Sequence, residues 1–286
     1  MIKKGVLLLG GTGSRLFPLT MSVNKHLLPI YNKPMFFYPL SILMLMGIRE
    51  IYLIVDKENK KKFYNILKDG TDIGLKIHYL IQEKPDGIAG VFKILEPELK
   101  NDSFALILGD NFFYSGFFSK ILEKAVKSKQ GSTIFLYPTN KPQNFGVAKL
   151  KGKKIIQLVE KPKKFVSNFA ITGLYIFDKK VFKFSKKIKK SDRGEFEMID
   201  ILNKYKKIRE LKFISLGRGS AWLDVGSFEE LLSCNNFVNN IQSRQNFEIG
   251  CLEEIALNKK WVSKNNLKKR ISLFKNSEYA KYIKNI

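Results

Sequence analysis

The order of the apolar runs is what most constrains the fold of this chain. Through the first two-thirds, short apolar runs alternate with amphipathic stretches, the pattern of βαβ units stacked into a sheet covered by helices. Strands are expected at 5–9, 50–55, 76–81, 104–108 and 132–137, and helices at 35–46, 58–68, 88–95 and 117–126. The pattern then changes. Segments 147–150 and 154–159 flank Lys151-Gly152-Lys153, a hairpin sequence. A strand at 170–177, a helix at 197–205 and short strands at 211–216 and 221–225 follow, and from Ser227 onward the pattern is helical with Lys-rich exposed faces. The architecture implied is α/β, with a mixed, mostly parallel sheet between helices on both faces.

Composition narrows what such a fold could do. With 286 residues, 44% of them hydrophobic, the chain can bury a large core without disulfides or a structural metal. Cys234 and Cys251 read as reduced, buried thiols. The apolar run 6–9 stops at Gly10, and the longer run 35–48 contains Pro39. Both are too short to cross a bilayer, so the expectation is a cytoplasmic protein with no membrane partner. The net charge of +25 raises the question of nucleic acid. Only seven of the 51 basic residues are Arg, the residue suited to reading phosphates and base edges, and the lysines are spread along the whole chain. No nucleic-acid partner is expected, although the surplus helps to draw in anionic substrates.

In open α/β sheets, ligands bind beyond the carboxyl ends of the strands. The first strand ends there in Gly10-Gly11-Thr12-Gly13-Ser14-Arg15. Glycines let backbone N–H groups approach phosphate oxygens, and Arg15 adds a fork of donors. A tight structural turn explains the glycines equally well. The spacing fits neither the Walker loop nor the dinucleotide fingerprint. Leu108-Gly109-Asp110-Asn111 delivers a carboxylate to the same edge, with a helix N-cap as the local alternative. Asp224 follows the apolar Trp222-Leu223, and two such aspartates suit magnesium beside a polyphosphate. Lys25 precedes His26-Leu27-Leu28-Pro29, where a surface lysine is the plain reading. Glu160-Lys161-Pro162 closes a strand, and Arg193-Gly194-Glu195 precedes a helix.

Taken together, over about residues 2–284, these segments resemble the short bacterial glucose-1-phosphate thymidylyltransferases. The family's Gly-Gly-x-Gly-x-Arg-Leu-x-Pro loop stands at 10–18 and its Lys-x-Leu-Leu-Pro segment at 25–29. Further matches are Gln82, Pro85-Asp86-Gly87, Leu108-Gly109-Asp110-Asn111, Glu160-Lys161-Pro162, Thr172-Gly173-Leu174-Tyr175, Arg193-Gly194-Glu195, Trp222-Leu223-Asp224 and Glu253-Glu254-Ile255-Ala256. Five positions depart from the family. Leu9 replaces a small Ala and would crowd the loop, His26 replaces a Gln used near the nucleotide, and Phe145 replaces a Tyr. Gly90 replaces a Gln, and Asn258 an Arg connected with regulation.

The resemblance implies a Rossmann-like three-layer α/β/α sandwich of the nucleotide-diphospho-sugar transferase type, with residues 1–240 forming the α/β domain and 241–286 a helical region packed on it. It implies condensation of dTTP with glucose-1-phosphate to dTDP-glucose and pyrophosphate, for dTDP-rhamnose and cell-surface polysaccharide synthesis, in a homotetramer. Arg15, Lys25 and Lys161 would be catalytic. Gly10, Gly11, Thr12, Gly13, Ser14, His26, Gln82, Pro85, Gly87 and Asp110 would bind the nucleotide. Gly146, Glu160, Lys161 and Thr172 would bind the sugar phosphate, and Asp110 and Asp224 would hold Mg2+. The same chemistry with UTP or another sugar-1-phosphate, or a non-catalytic sugar-nucleotide sensor, are the alternatives.

Overall fold

Strand β1 (Lys4–Leu8) lies at the centre of a nine-stranded sheet and is buried on both faces. The computed structural model of the protein describes residues 1–11, 13–83, 87–128 and 130–286. In chain order the other strands are β2 (Pro29–Ile30), β3 (Lys33–Pro34), β4 (Glu50–Val55), β5 (Lys76–Ile81), β6 (Phe104–Leu108), β7 (Asn111–Ser115) and β8 (Ser132–Pro138). They continue with β9 (Gly146–Lys151), β10 (Lys154–Glu160), β11 (Phe169–Phe177), β12 (Leu211–Ser215) and β13 (Ser220–Asp224). The helices are α1 (Phe37–Leu45), α2 (Lys60–Leu67), α3 (Phe92–Leu99), α4 (Phe118–Ala125), α5 (Lys180–Ser185), α6 (Met198–Lys207), α7 (Phe228–Gln245), α8 (Leu252–Asn258), α9 (Lys264–Leu273) and α10 (Glu278–Asn285).

β1 pairs in parallel with β4 and β6, β4 with β5, and β8 with β12. β11 runs against its neighbours β6 and β8. Beyond it, the β9–β10 hairpin joins the sheet through Ala170 and Val147. The mixed, mostly parallel sheet expected from the sequence is therefore present. Period-two alternation sends Leu7, Leu53, Val55 and Ile107 to one face, where α1, α2, α4 and α8 cover them. Val6, Leu8, Ile54 and Leu106 face the other way, against α3, α5 and α6. This gives the three layers. Helix α1 is buried from Phe37 to Met44, so it shows no polar face, and Pro39 falls in its first turn, where no intrahelical donor is lost.

Two local expectations change. Asp110-Asn111 does not cap a helix. Asn111 opens β7, which pairs antiparallel with β13 so that Asn111 faces Asp224. The aromatic run Phe112-Phe113-Tyr114 favours a strand, and that outweighs the capping propensity of the two residues before it. Residues 88–91 form a 3-10 turn that leads into α3 rather than the start of the helix itself. Among the described residues, no helix is long and apolar enough to cross a membrane.

Candidate active site

Because β1, β4 and β6 run parallel, their carboxyl ends reach one edge of the sheet, and the loop after β1 starts there. Leu9 N–H donates to Ile54 O at 2.8 Å, and Gly109 N–H to Leu8 O at 2.8 Å, so the loop's first residues remain tied to both neighbours. Gly11 and Gly13 have φ of 118° and 62°, conformations that glycine adopts without strain. Leu9 does not crowd this loop. Its side chain is fully buried in the core, in space left by Gly109, where a Cβ would lie 2.7 Å from Leu9 Cδ2. Gln82 leaves β5 to meet the same loop, and a Cβ at Gly10 would lie 2.5 Å from Gln82 Oε1.

Lys25 is only 7% exposed, despite the many surface lysines of this chain. Its Nζ lies 2.6 Å from Asp110 Oδ2. Beside this pair, the Asn111 amide on β7 holds four partners, from the β6–β7 connection, β11 and β13. Its Nδ2 donates to Asp110 Oδ1 at 2.9 Å and Asp224 Oδ1 at 3.1 Å. Its Oδ1 accepts from Gly173 N–H at 2.8 Å and Trp222 Nε1–H at 2.7 Å. One side chain thus fixes two carboxylates side by side. Burial raises the carboxyl pKa of both. At Asp110 the Lys25 ammonium outweighs it and holds the group below the usual range, whereas at Asp224 burial and the Asp110 charge act together and push it up. Asp110 is thus firmly ionised and matched by Lys25, while the charged form of Asp224 has no ion-pair partner of its own among the described residues.

Two adjacent carboxylates, one of them without an ion-pair partner, are hard oxygen donors that fit a magnesium ion, which takes one or two carboxylates and fills its remaining positions with water and phosphate oxygens. Among the described residues, no group of three or more His, Cys, Asp and Glu gathers to suit zinc or iron.

His26 lies on the same wall, 4% exposed. Its Nδ1 is 3.1 Å from both Leu9 O and Asn24 Oδ1, two acceptors, so that nitrogen carries the proton and donates. Burial pushes the imidazole down to about 4 and keeps it neutral. With Gly10, Gly11, Gly13, Ser14, Arg15, Lys25 and Asp110, it lines a depression of about 210 Å³.

Arg15 and Asp110 also line a second cleft of about 210 Å³, floored by Trp222 and Phe145, whose ring centroids are 4.9 Å apart. Glu160 sits in it. Gly146 makes room for that carboxylate, since a Cβ there would lie 2.9 Å from Glu160 Oε2. Arg193 Nη2 donates to Glu197 Oε1 at 2.8 Å and to Glu160 Oε1 at 3.3 Å. Burial and the neighbouring Glu197 raise the Glu160 pKa. Lys161 lies at the cleft's mouth with φ of 42°, its N–H bonded to Phe145 O at 3.0 Å.

The structure thus brings together Gly10, Gly11, Gly13, Ser14, Arg15, Lys25, His26, Asp110, Gly146, Glu160, Lys161 and Asp224 along two connected depressions. Gln82 borders them at Gly10. Gly87 packs against the backbone of Phe196, another residue of the second cleft. Thr12 and Pro85 lie outside the described residues. Thr172 is a correction. It is fully buried and its hydroxyl has no hydrogen-bond partner, while the adjacent Ile171 and Gly173 line the cleft in its place. Asn111 and Glu197 join the site without a local sequence signal that marks their role. Asn111 stood in the Gly-Asp-Asn segment, but its hub role depends on partners 62 and 113 residues away in the chain. Arg193, in the Arg-Gly-Glu segment, holds Glu160 and Glu197 together.

Residues 4–241 match the family of nucleotidyl transferases. A glucose-1-phosphate thymidylyltransferase of Neisseria meningitidis is 42% identical over 281 residues, 98% of each chain. One of Mycobacterium tuberculosis is 38% identical over 281 residues, 98% of this chain and 97% of the other. A candidate glucose-1-phosphate thymidylyltransferase of Bacillus anthracis, solved in complex with a sucrose, superposes with a TM-score of 0.76 at 37% identity, covering 82% of this chain and 94% of that one. A UDP-glucose pyrophosphorylase with UDP-glucose shares the fold, with a TM-score of 0.72 at 22% identity over 84% of this chain and 100% of that one. On this full-length likeness, the chain belongs to the nucleotidyl transferase family, among the glucose-1-phosphate thymidylyltransferases.

Proposed function

We propose that the chain condenses dTTP with glucose-1-phosphate, giving dTDP-glucose and pyrophosphate. The observation that carries this reading is the buried Lys25–Asp110–Asn111–Asp224 cluster, set beside the glycine loop and opening onto a sugar-sized cleft. The sugar-phosphate oxygen attacks the α-phosphorus in line, a new P–O bond forms, and the bond to the β-phosphate oxygen breaks. No covalent enzyme intermediate is needed, so catalysis consists of positioning and charge neutralisation.

In this reading the N–H groups of Gly11, Gly13 and Ser14 face the triphosphate. Arg15, which lines both depressions, holds the departing pyrophosphate. Lys25 turns its ammonium toward the α-phosphoryl oxygens, where negative charge builds. Lys161 binds the sugar phosphate, and Glu160, fixed by Arg193, accepts hydrogen bonds from sugar hydroxyls. Gln82 and Gly87 border the base. Asp110 and Asp224 would hold magnesium, which when bound supplies charge neutralisation at the phosphate. A homotetramer and a place in deoxysugar synthesis belong to the same proposal.

The test is pyrophosphate release from dTTP, UTP, dCTP and ATP with glucose-1-phosphate. The Gln82 amide offers a donor and an acceptor that match the N3–H and carbonyl edge of thymine or uracil, and cytosine has no N3–H. A mispaired buried group costs about 1–3 kcal/mol, so kcat/KM for dTTP should exceed that for dCTP by roughly tenfold to a hundredfold. UTP should be a weaker but detectable substrate, and Gln82→Leu should erase the preference over dCTP. A preference for ATP would contradict thymidylyl transfer, and no release from any triphosphate would contradict nucleotidyl transfer.

A further inference from the structure

Lys33 is 2% exposed, and its ammonium is enclosed from several sides. It donates to Asn32 Oδ1 at 2.7 Å, to Gln242 Oε1 at 3.3 Å and to the Glu248 carboxylate. It also lies over the rings of Tyr279 and Tyr38, 5.3 and 5.8 Å from their centroids. Gln242, Glu248 and Tyr279 all belong to the C-terminal helices and their connections. Tyr279 is fixed in turn, because its hydroxyl donates to Glu253 Oε2 at 2.6 Å. Glu253 pairs with Arg270, whose Nη1 reaches Ile66 O on α2 at 3.0 Å. A chain of buried polar contacts therefore runs from the body of the molecule, through α9, α8 and α10, to one lysine.

That lysine sits on the arm that returns to the active site. It occupies β3, where Ile30 faces Lys33, and Tyr38 Oη donates to Ile30 O at 2.7 Å. The residues after β3 fold back on the catalytic turn. Met35 N–H donates to Leu28 O at 2.9 Å and Phe36 N–H to His26 O at 3.1 Å, while Leu28 N–H closes on Lys25 O at 3.0 Å. On the other side of the hairpin tip, Tyr31 N–H donates to Asn235 Oδ1 on α7 at 2.6 Å. The peptide that carries Lys25 is thus held by a segment whose far end is anchored through Lys33. An apolar residue would fill this space at less desolvation cost. An ammonium with several directed partners fixes orientation as well as depth, the role in which a buried charge is best attested.

We propose that Lys33 is a positioning residue for nucleotidyl transfer: the C-terminal helices hold its ammonium, and through the returning segment they hold Lys25 in the phosphate depression. This rests on the transfer reaction and on the place given to Lys25 in it. The test is a double-mutant cycle in the full chain, read by steady-state kinetics and by the thermal midpoint. Displacements of about an ångström at a reacting group cost up to about a hundredfold. Lys33→Met should therefore lower kcat by about tenfold to a hundredfold, with KM for both substrates within about threefold, in a protein still folded at the assay temperature. In the Lys25→Ala background the same substitution should change kcat by less than about twofold, because the group it positions is gone. If Lys33→Met does not fold, Glu248→Gln, which keeps an acceptor and removes the charge, should show a smaller loss of the same sign that also vanishes with Lys25→Ala. Equal losses in both backgrounds, or no loss in either, would overturn the proposal. The reaction itself is tested separately. An unsubstituted chain that releases no pyrophosphate removes the transfer reading, and an active chain indifferent to Lys25→Ala removes the role of Lys25 and this inference with it.

Discussion

Two clusters of buried charge flank the segment from Lys25 to Lys33, and they are built in opposite ways. In the C-terminal cluster, Lys33 has Glu248, Gln242, Asn32 and two ring faces, and Glu253 has Arg270 and Tyr279; among its side-chain atoms, Arg270 Nη2 lacks a hydrogen-bond partner. In the cleft, one ammonium faces two carboxylates. Asp224 makes no ion pair among the described residues, burial and Asp110 raise its pKa, and His26 is kept neutral by burial. The difference separates scaffold from site. A cluster whose charges are matched within the chain holds structure, and one left short of positive charge is arranged for something that arrives.

Breaking a pair should therefore have different effects in the two places. In the C-terminal cluster the expected effect is the largest. Glu253→Ala strands a fully buried Arg270 and should cost about 3–5 kcal/mol of unfolding free energy, measured by denaturant titration. A loss below about 1 kcal/mol would mean that this cluster is not closed in the sense described.

A smaller effect is expected at His26, whose pKa falls from 6.5 to about 4 on folding. Between those values the unfolded chain binds a proton that the folded chain does not, so stability is lost as pH drops from 6.5 toward 4. The shift corresponds to on the order of 3 kcal/mol across that window. His26→Gln should remove that share of the acid loss, seen as a shallower fall of the unfolding free energy with pH. An unchanged slope would show that the imidazole is not held neutral.

How much of this was legible in the sequence follows from the range of the interactions involved. The strand positions along the chain and the loop at 10–15 are legible because each is signalled by its own neighbours, an apolar run and then glycines or a polar residue where the strand ends, whereas the carboxylates at 110 and 224 stand out as a pair only through the resemblance of the whole chain to its family. Asn111 was hidden, because Asp-Asn reads locally as a helix cap and its partners Gly173, Trp222 and Asp224 come from elsewhere in the chain. Thr172 was misplaced for a related reason. The motif that contains it fixes the strand, but which side chain faces the cleft depends on a register shift between Ile171 and Tyr175. The C-terminal charges looked like solvated faces. Nothing near Lys33, Glu253 or Arg270 in sequence indicates that three helices close over them.

Asp224 has no ion-pair partner among the described residues, and a cation arriving with the nucleotide would supply one. The most direct test is the thermal midpoint of the parent chain and of Asp224→Asn, each alone, with Mg2+, with dTTP, and with both. Asp224→Asn should leave the ligand-free midpoint unchanged or raise it, because a neutral amide that keeps an acceptor for Asn111 replaces a buried carboxyl whose charged form has no ion-pair partner. The parent midpoint should rise with Mg2+ and dTTP together by more than the sum of the separate effects, Asp224→Asn should lose this excess, and its turnover should fall by at least about a hundredfold. A variant that melts well below the parent while keeping both the excess and near-normal turnover would place Asp224 in the scaffold and not in the site.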